Sequence, residues 1–532
     1  MAATENLSAS AAQWNREGFH GSRTWPEVLA RSCAAGAAAT VVYAAGESTP
    51  LVTTVGEIFA LAQRAAAALQ LRGIGPGRAV AVQLPNGIEA SIAYAAVLLT
   101  GAVLVPIVHV YGPNEVRFIL EQSGAEVLVQ PARVRSAEYA DRLPGYAEIS
   151  TLDRVIVVGD DVPAGASAWT ELIGTSARYR PPRVDANDVA LLIYTSGTTA
   201  APKGVQHSHN SLLAELCSGP RSLLDAEDSV QLVSFPPGHI AGVSSVLRPL
   251  LHGIDTVYME SWEAATAVAL IARYRVTATS GTPFHLAGLL DLGDVRSELR
   301  TLREFLIGAA TVPEELLRRA AEAGISTYRC YGSTEHPTVT CGSPGEPEAA
   351  RHRTDGAPLP GVRVRVVDRA GAEVPVGVDG EILTRGPDQF VGYRDATLNA
   401  AAFTADGWLR TGDLGHLDPE GRLTITDRLK DVVIRGGETI SASQLEDVLA
   451  THPAVAEAAI VAAPDPRYGE VVAAVVVPAP GAEIDLAAVR AHFAASGLAK
   501  QKTPERLVVV RELPRTALGK VRKAELRETH FG

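Results

Sequence analysis

The sequence predicts an α/β protein with largely parallel sheets, joined to a small α+β unit at its C-terminal end. Three observations predict this. In the first part of the chain, helical patterns alternate with short continuous apolar runs, the signature of parallel strands covered on both faces. Around Val362 to Leu383 the pattern changes to β-hairpins. Beyond the charged stretch Asp427-Arg428-Leu429-Lys430-Asp431, which lies between two apolar strands, a new set of strands and helices begins.

Thr54-Val55-Gly56-Glu57 is a capping box, and it opens a helix running to about Leu71. Gly73 to Gly77 is a turn, and AVAVQL from Ala79 to Leu84 is a strand. Ala90 to Val110 carries no Asp, Glu, Lys or Arg and could be mistaken for a membrane span, but Gly101 and Pro106 interrupt it. It reads as a buried helix, a glycine turn and a buried strand. Asn114 to Gln122 is helical, and AEVLVQ from Ala125 to Gln130 is a strand. Strand patterns return at ALLIYT, TVYME, RVTATS and EFLIG. VRVRVVD, the turn Arg369-Ala370-Gly371 and GEILTRG give the hairpins. In the last unit a helix near Gln444 to Thr451 precedes the strand pair VAEAAIVAAP and VVAAVVVPAP; a helix from Asp485 and the strand RLVVV from Arg506 follow.

At 532 residues the chain is too long for one ordinary core, so two or more domains are expected. Charged residues at 20% and hydrophobic ones at 46% mark a globular chain. A net charge of -12 argues against a broad nucleic-acid surface. Cys33, Cys217, Cys330 and Cys341 fit no metal knuckle or disulfide framework, which suits a reducing cytoplasm. The N-terminus carries Glu5, Arg16 and Glu17 and no apolar run, so no secretory signal is expected. Only six lysines occur, Lys203, Lys430, Lys500, Lys502, Lys520 and Lys523, and the other 42 cations are arginine. A lysine retained against that usage marks a place where a compact, flexible point charge is useful. The arginine-heavy, alanine-rich composition fits a GC-rich bacterium.

Five stretches carry chemistry. YTSGTTAAPKGV, Tyr194 to Val205, leaves the end of the strand ALLIY, where parallel sheets bind ligands. Its backbone N–H groups and hydroxyls can donate to phosphate oxygens that Lys203 neutralises. Taken alone it reads equally as a solvent loop, since it lacks the Walker spacing. In YGSTEH, Tyr331 to His336, Tyr331 suits stacking on a base, Thr334 a phosphate and Glu335 a magnesium ion; alone, a surface loop with an ordinary glutamate is the favoured reading. GWLRTGD ends in Asp413, a carboxylate after a tight turn that can accept from two ribose hydroxyls, although alone it reads as a simple cap. DRLKD marks the domain boundary, and PRTALGK puts Lys520 on a loop near the C-terminus.

Together, in this order and spacing, the five resemble the adenylate-forming superfamily of acyl-CoA synthetases, peptide-synthetase adenylation domains and beetle luciferases, from about residue 50 to Lys523. The resemblance implies a large N-terminal domain of two α/β sheets plus a β-barrel (1–427), a hinge (428–431) and a small mobile C-terminal domain (432–532). It implies that Thr195, Ser196, Gly197, Thr198, Thr199 and Lys203 hold the β and γ phosphates of ATP. Gly308, Ala309 and Ala310 would line the adenine and acyl pocket. Tyr331 and Gly332 would pack on adenine, with Thr334 at the α-phosphate and Glu335 on Mg²⁺. Asp413 and Arg428 would bind ribose, Lys430 would be the pivot, and Lys520 would bridge the acyl carboxylate and the α-phosphate.

The chemistry needs these parts. A carboxylate must be activated before a thiol can attack it, and displacing pyrophosphate from ATP makes an acyl-adenylate whose leaving group is AMP. The approach of two anions is offset by Mg²⁺ and Lys520. Rotation about Lys430 then brings in Arg435-Gly436-Gly437-Glu438, where Gly436 and Gly437 leave room for the pantetheine arm of coenzyme A. Amino-acid adenylation domains carry an Asp after a Phe; here Phe235 is followed by Pro236-Pro237-Gly238-His239, so an α-amino acid is not expected. His239 matches a position that gates the acyl pocket, and Ile240 to Val243 with Ser280 to Pro283 would line it, which points to a fatty, alicyclic or aromatic acid. The chain ends twelve residues after Lys520, so no fused carrier domain is expected. Ala200 stands where the family usually has glycine. If the loop needs φ > 0 there, the β-carbon costs roughly 1 kcal/mol or more. The second step uses no pyrophosphate and would be spared. Two alternatives follow: a half-reaction enzyme fed acyl-adenylate by a partner adenylating enzyme, and a ligase loading a separate carrier protein.

Overall fold

The computed structural model describes residues 11–46, 48–195, 202–218, 228–293, 295–308, 312–429, 431–435, 438–496, 498, 500–516 and 520–532. Two large sheets dominate. In the nine-stranded sheet, Ser326–Tyr331, Glu304–Ile307, Ala278–Gly281, Val230–Val233, Asp255–Met259 and Thr40–Ala44 run parallel in that spatial order, with antiparallel edges at Leu51–Thr54 and Thr340–Cys341. In the eight-stranded sheet, Val189–Thr195, Val103–Pro106, Ala79–Val82, Val127–Pro131 and Arg154–Val158 are the parallel centre. Lys203–Ser208 then folds back antiparallel on Val189–Thr195 and receives Gly392–Tyr393.

The helices explain themselves locally. Thr54 caps Val55–Leu71: its hydroxyl accepts from Glu57 N, and Glu57 reaches back to Thr54 N, so two orphan donors of the first turn are satisfied reciprocally. The uncharged stretch Ala90 to Val110 becomes the helix Ile88–Leu99, a turn at Gly101 and the strand Val103–Pro106. Every residue from Ala90 to Leu99 is buried because the helix lies in one core with Tyr43 and Tyr258 of the first sheet and Val80 and Val82 of the second. A helix apolar all round requires such burial on every side. No helix among the described residues is long and apolar enough to cross a membrane.

Arg363–Val367, Gly380–Arg385, Leu409–Leu417 and Leu423–Arg428 form a four-stranded antiparallel sheet, whose first two strands are the hairpin the sequence predicts. After Arg428 the chain enters the last sheet. Val455–Asp465 and Gly469–Pro478 pair along their length, and Arg506–Val509 adds in parallel. The period of two puts Ile460, Ala462, Val472 and Ala474 on one face, under Ala442–Ala450 and Leu486–Ala495. Ala459, Val461, Val471 and Ala473 face the other way, against Lys523–Phe531. The polar strand Lys203–Ser208 and the helix Lys523–Phe531 are two elements that the sequence patterns did not predict.

Candidate functional site

The carboxyl ends of the parallel strands of the first sheet meet at one edge, the usual place for a ligand in such a sheet. Gly308 follows Glu304–Ile307 and donates its N–H to Gly281 O at 3.1 Å. On the next strand, Cys330 lies under Gly308, and Tyr331 ends the strand. The chain then turns sharply. A β-carbon on Gly332 would sit 1.9 Å from the Pro337 carbonyl oxygen, so only glycine permits this turn. Ser333 N donates to His336 O at 2.9 Å and closes it.

Tyr331 Oη donates to Asp413 Oδ2 at 2.6 Å, and Arg428 Nε meets Asp413 Oδ1 at 3.1 Å. Asp413 and Arg428 are register partners on adjacent strands, so the antiparallel ladder itself sets the ion pair. Burial first, then the Asp413 charge, pushes the Tyr331 phenol well up, so it remains a donor at neutral pH. The two residues expected at ribose and the one expected at adenine are thus one hydrogen-bonded group.

Lys203 lies opposite Thr195 in the register, so the two ends of the expected phosphate loop are neighbours on one hairpin. Lys203 Nζ stands 5.3 Å above the ring of Tyr393, whose hydroxyl donates to Glu335 Oε1 at 2.7 Å. Lysine, tyrosine and glutamate therefore share one edge of the cleft. Behind them is a buried polar layer. His207 Nε2 donates to Thr334 O at 2.8 Å. His336 Nε2 donates to Asp388 Oδ1 at 3.0 Å, and its Nδ1 is 2.9 Å from the Thr384 hydroxyl. Burial holds His207 at about 4, so it is a neutral support and not a charge. These contacts fix the Thr334-Glu335 peptide from below.

On the acyl side, His239 is the N-terminal cap residue of Ile240–His252. Burial, the Lys520 charge and the neighbouring His109 hold its imidazole down at about 4. The Lys520 charge thus reaches His239 from the other domain. Lys520 is seated in its own loop by Thr516, whose hydroxyl accepts from Lys520 N at 3.2 Å and whose N–H donates to Lys520 O at 2.8 Å. Arg435 is bound to residues of the C-terminal sheet region, 2.6 Å from Glu505 Oε1 and 3.9 Å above the Tyr468 ring.

Of the residues expected at the site, Thr195, Lys203, His239, Gly308, Tyr331, Gly332, Thr334, Glu335, Asp413, Arg428 and Lys520 fall into these clusters. Ser196, Gly197, Thr198, Thr199, Ala200, Ala309, Ala310, Lys430 and Gly437 lie outside the described residues. Tyr393, His207 and Asp388 were not anticipated. Tyr393 sits in a two-residue edge strand, and no motif flags it. A magnesium ion typically takes one or two carboxylates plus phosphate oxygens. Glu335, with one oxygen bound to Tyr393, fits that requirement, and no cluster of three metal-ligating side chains occurs among the described residues.

The comparisons with known proteins agree with this geometry. The family model for AMP-binding enzymes matches residues 29–394, and that for the AMP-binding enzyme C-terminal domain matches 444–520. A medium-chain fatty-acid–CoA ligase of Escherichia coli is 35% identical over 465 residues, covering 86% of this chain and 82% of the relative. The ATP-bound structure of MatB from Rhodopseudomonas palustris superposes with a TM-score of 0.85 at 28% identity, over 95% of this chain and 99% of that one. The o-succinylbenzoate CoA synthetase of Bacillus subtilis in complex with its acyl-adenylate gives 0.80 at 28% identity, over 96% and 99%. This chain therefore belongs to the AMP-binding enzymes, within the adenylate-forming acyl-CoA synthetases, and is an AMP-forming acid–thiol ligase.

Proposed function

We propose that this ligase converts a hydrophobic carboxylic acid, with ATP and coenzyme A, to acyl-CoA, AMP and pyrophosphate through an acyl-adenylate. The observation that carries the reading is the hydrogen-bonded group of Tyr331, Asp413 and Arg428 beside the edge shared by Lys203, Tyr393 and Glu335. Lys520 is near enough for its charge to hold the His239 imidazole down. A cation delivered there offsets the repulsion between an incoming carboxylate and the α-phosphate. Tyr331 and Gly332 take the adenine, while Asp413 and Arg428 take the ribose hydroxyls. Thr195 to Thr199 with Lys203 hold the departing phosphates, and Thr334 orients the α-phosphate. Glu335, braced by Tyr393, would hold the magnesium ion, which when bound neutralises charge on the leaving pyrophosphate. The layer of His207, His336 and Asp388 keeps the Glu335 turn in place.

A neutral His239 at the head of an apolar helix admits a hydrophobic acyl group without offering it a charge. Its neighbours Phe235, Pro236 and Pro237 carry no carboxylate, which disfavours an α-amino acid. For the second step Lys520 must withdraw, and rotation of the small domain about Lys430 would bring Gly437 to the cleft for the pantetheine arm.

Two arms test this on purified protein. One supplies ATP, Mg²⁺, coenzyme A and a panel of fatty, alicyclic and aromatic acids; the other supplies matching acyl-adenylates and coenzyme A without ATP. Acyl-CoA from both arms is expected, and Lys520→Ala should slow the first arm on the order of a hundredfold or more while sparing the second. Product from the second arm alone would assign Ala200 the loss of adenylation and make this a half-reaction enzyme. Transfer to an acyl carrier protein but not to coenzyme A would overturn the acceptor.

A further inference from the structure

We propose that Cys330 and Cys341 are a redox-modification site. A disulfide formed between them by hydrogen peroxide draws in the base of the turn that carries Tyr331, Thr334 and Glu335, and so weakens nucleotide binding.

The geometry begins with strand register. Cys330, on Ser326–Tyr331, lies directly opposite Cys341, on Thr340–Cys341, in an antiparallel pair. Directly opposite residues share one face of a sheet, so the two thiols stand side by side. Gly342 N donates to Arg329 O at 2.8 Å, so the ladder bonds flank the cysteines and do not join them. A pair of this kind brings its Cα atoms to about 4.5 Å and its Cβ atoms to about 4.5–5.5 Å. The first distance lies within the ~4.4–6.8 Å that a disulfide spans. The second exceeds the ~3.5–4.5 Å it needs by roughly 1 Å. The bond is within reach, and closing it pulls the two strands together.

Both cysteines are free thiols and both are partly exposed, whereas Cys33 is buried. Burial pushes the Cys330 thiol up to about 12, and burial with the neighbouring Cys330 pushes Cys341 well above its ordinary value. Thiolate is therefore scarce at neutral pH, and the pair answers sustained oxidant, not a brief pulse. The step balances. One thiolate attacks a peroxide oxygen, the O–O bond breaks, and a sulfenic acid and hydroxide form; the hydroxide takes a proton to become water. The second thiol attacks the sulfenic sulfur, forming the S–S bond and releasing a second water. Two thiols lose two electrons and two protons, and one hydrogen peroxide becomes two waters.

The consequence is local. A β-carbon on Gly308 would lie 3.0 Å from Cys330 Sγ, so that sulfur packs directly on Gly308. Tyr331 follows Cys330, and its hydroxyl reaches Asp413 at 2.6 Å. The middle of the turn is anchored elsewhere: His336 is held by Asp388 and Thr384, and the Thr338 hydroxyl donates to Glu215 Oε1 at 3.0 Å. The displacement therefore falls on Gly308 and Tyr331, two of the residues expected around adenine.

The tryptic peptide from Cys330 to Arg351 contains both thiols and no other cysteine, so a bond between them leaves one peptide lighter by two hydrogens. The purified full chain is incubated with hydrogen peroxide, alkylated, digested and read by mass spectrometry. Affinity for AMP is measured by calorimetry before oxidation, after it, and after dithiothreitol. The lighter peptide is expected, with AMP affinity down by roughly tenfold or more, as a displacement of about 1 Å at a site can produce. Dithiothreitol should reverse both. Cys341→Ser should keep its AMP affinity in peroxide, and Cys330→Ala replaces it should that variant not fold. A peptide with both thiols still alkylated, or one that has only gained oxygen, overturns the proposal. So does a bond that leaves AMP affinity unchanged, or an equal loss of affinity in the serine variant.

Discussion

At the residue scale, Asp413 ties together the residues expected at adenine and ribose. Its two oxygens hold Tyr331 and Arg428, and its N–H donates to the Thr411 hydroxyl at 3.1 Å. Asp413→Asn keeps the shape but replaces an anionic acceptor with a neutral one. Hydrogen bonds to a charged group contribute about 1.5–3 kcal/mol each. Affinity for AMP, measured by calorimetry, should fall about tenfold to a hundredfold, and KM for ATP should rise more than kcat falls. An unchanged AMP affinity would remove Asp413 from the ribose role. Tyr331, Glu335 and Asp413 were legible in the sequence because each ends or follows a short recognisable turn. Their supports were not. Tyr393 is 58 residues from Glu335, His207 is 127 from Thr334, and Asp388 is 52 from His336. No local pattern records such pairings.

At the scale of elements, local signals determined most of what they reached. The capping box at Thr54 and the helix limit near Leu71 correspond to the observed Val55–Leu71. Thr54→Ala removes the cap and should cost about 1 kcal/mol, read as a lower urea midpoint with an unchanged m-value. Helix Ile88–Leu99 shows the boundary of such reasoning. Its composition says only that it is buried everywhere; that the burying surfaces are two sheets is a tertiary fact. Lys203–Ser208 has no apolar run, and it is a strand because Val189–Thr195 and Gly392–Tyr393 hydrogen-bond to its two edges. Pairing overrode propensity there, as it often does in sheets.

At the scale of the whole molecule, burial of neutral histidine is a shared theme. Burial is the first cause that holds His109, His207, His209, His239 and His285 each at about 4. In the unfolded chain each would titrate near about 6.5. Folding therefore favours the neutral form, and the stability this gives is full above pH ~6.5 and is lost as the pH falls toward ~4. The thermal midpoint should drop steadily over that window, with the unfolded state taking up several protons. A midpoint flat from about pH 7 to about pH 5 would contradict the burial of these rings.

The sequence alone determined the fold class, the elements with a strong local pattern and the motif residues of the candidate nucleotide site. These follow from local periodicity, from turn chemistry and from five short motifs, all of which are written within a few residues. The tertiary structure alone decided which groups meet: Tyr331 with Asp413, Glu335 with Tyr393, and the backbone of Gly238 with that of Val108, which only a glycine allows. Those meetings depend on strand register and on close backbone approach between segments far apart in the chain, and neither leaves a periodic trace in the residues themselves.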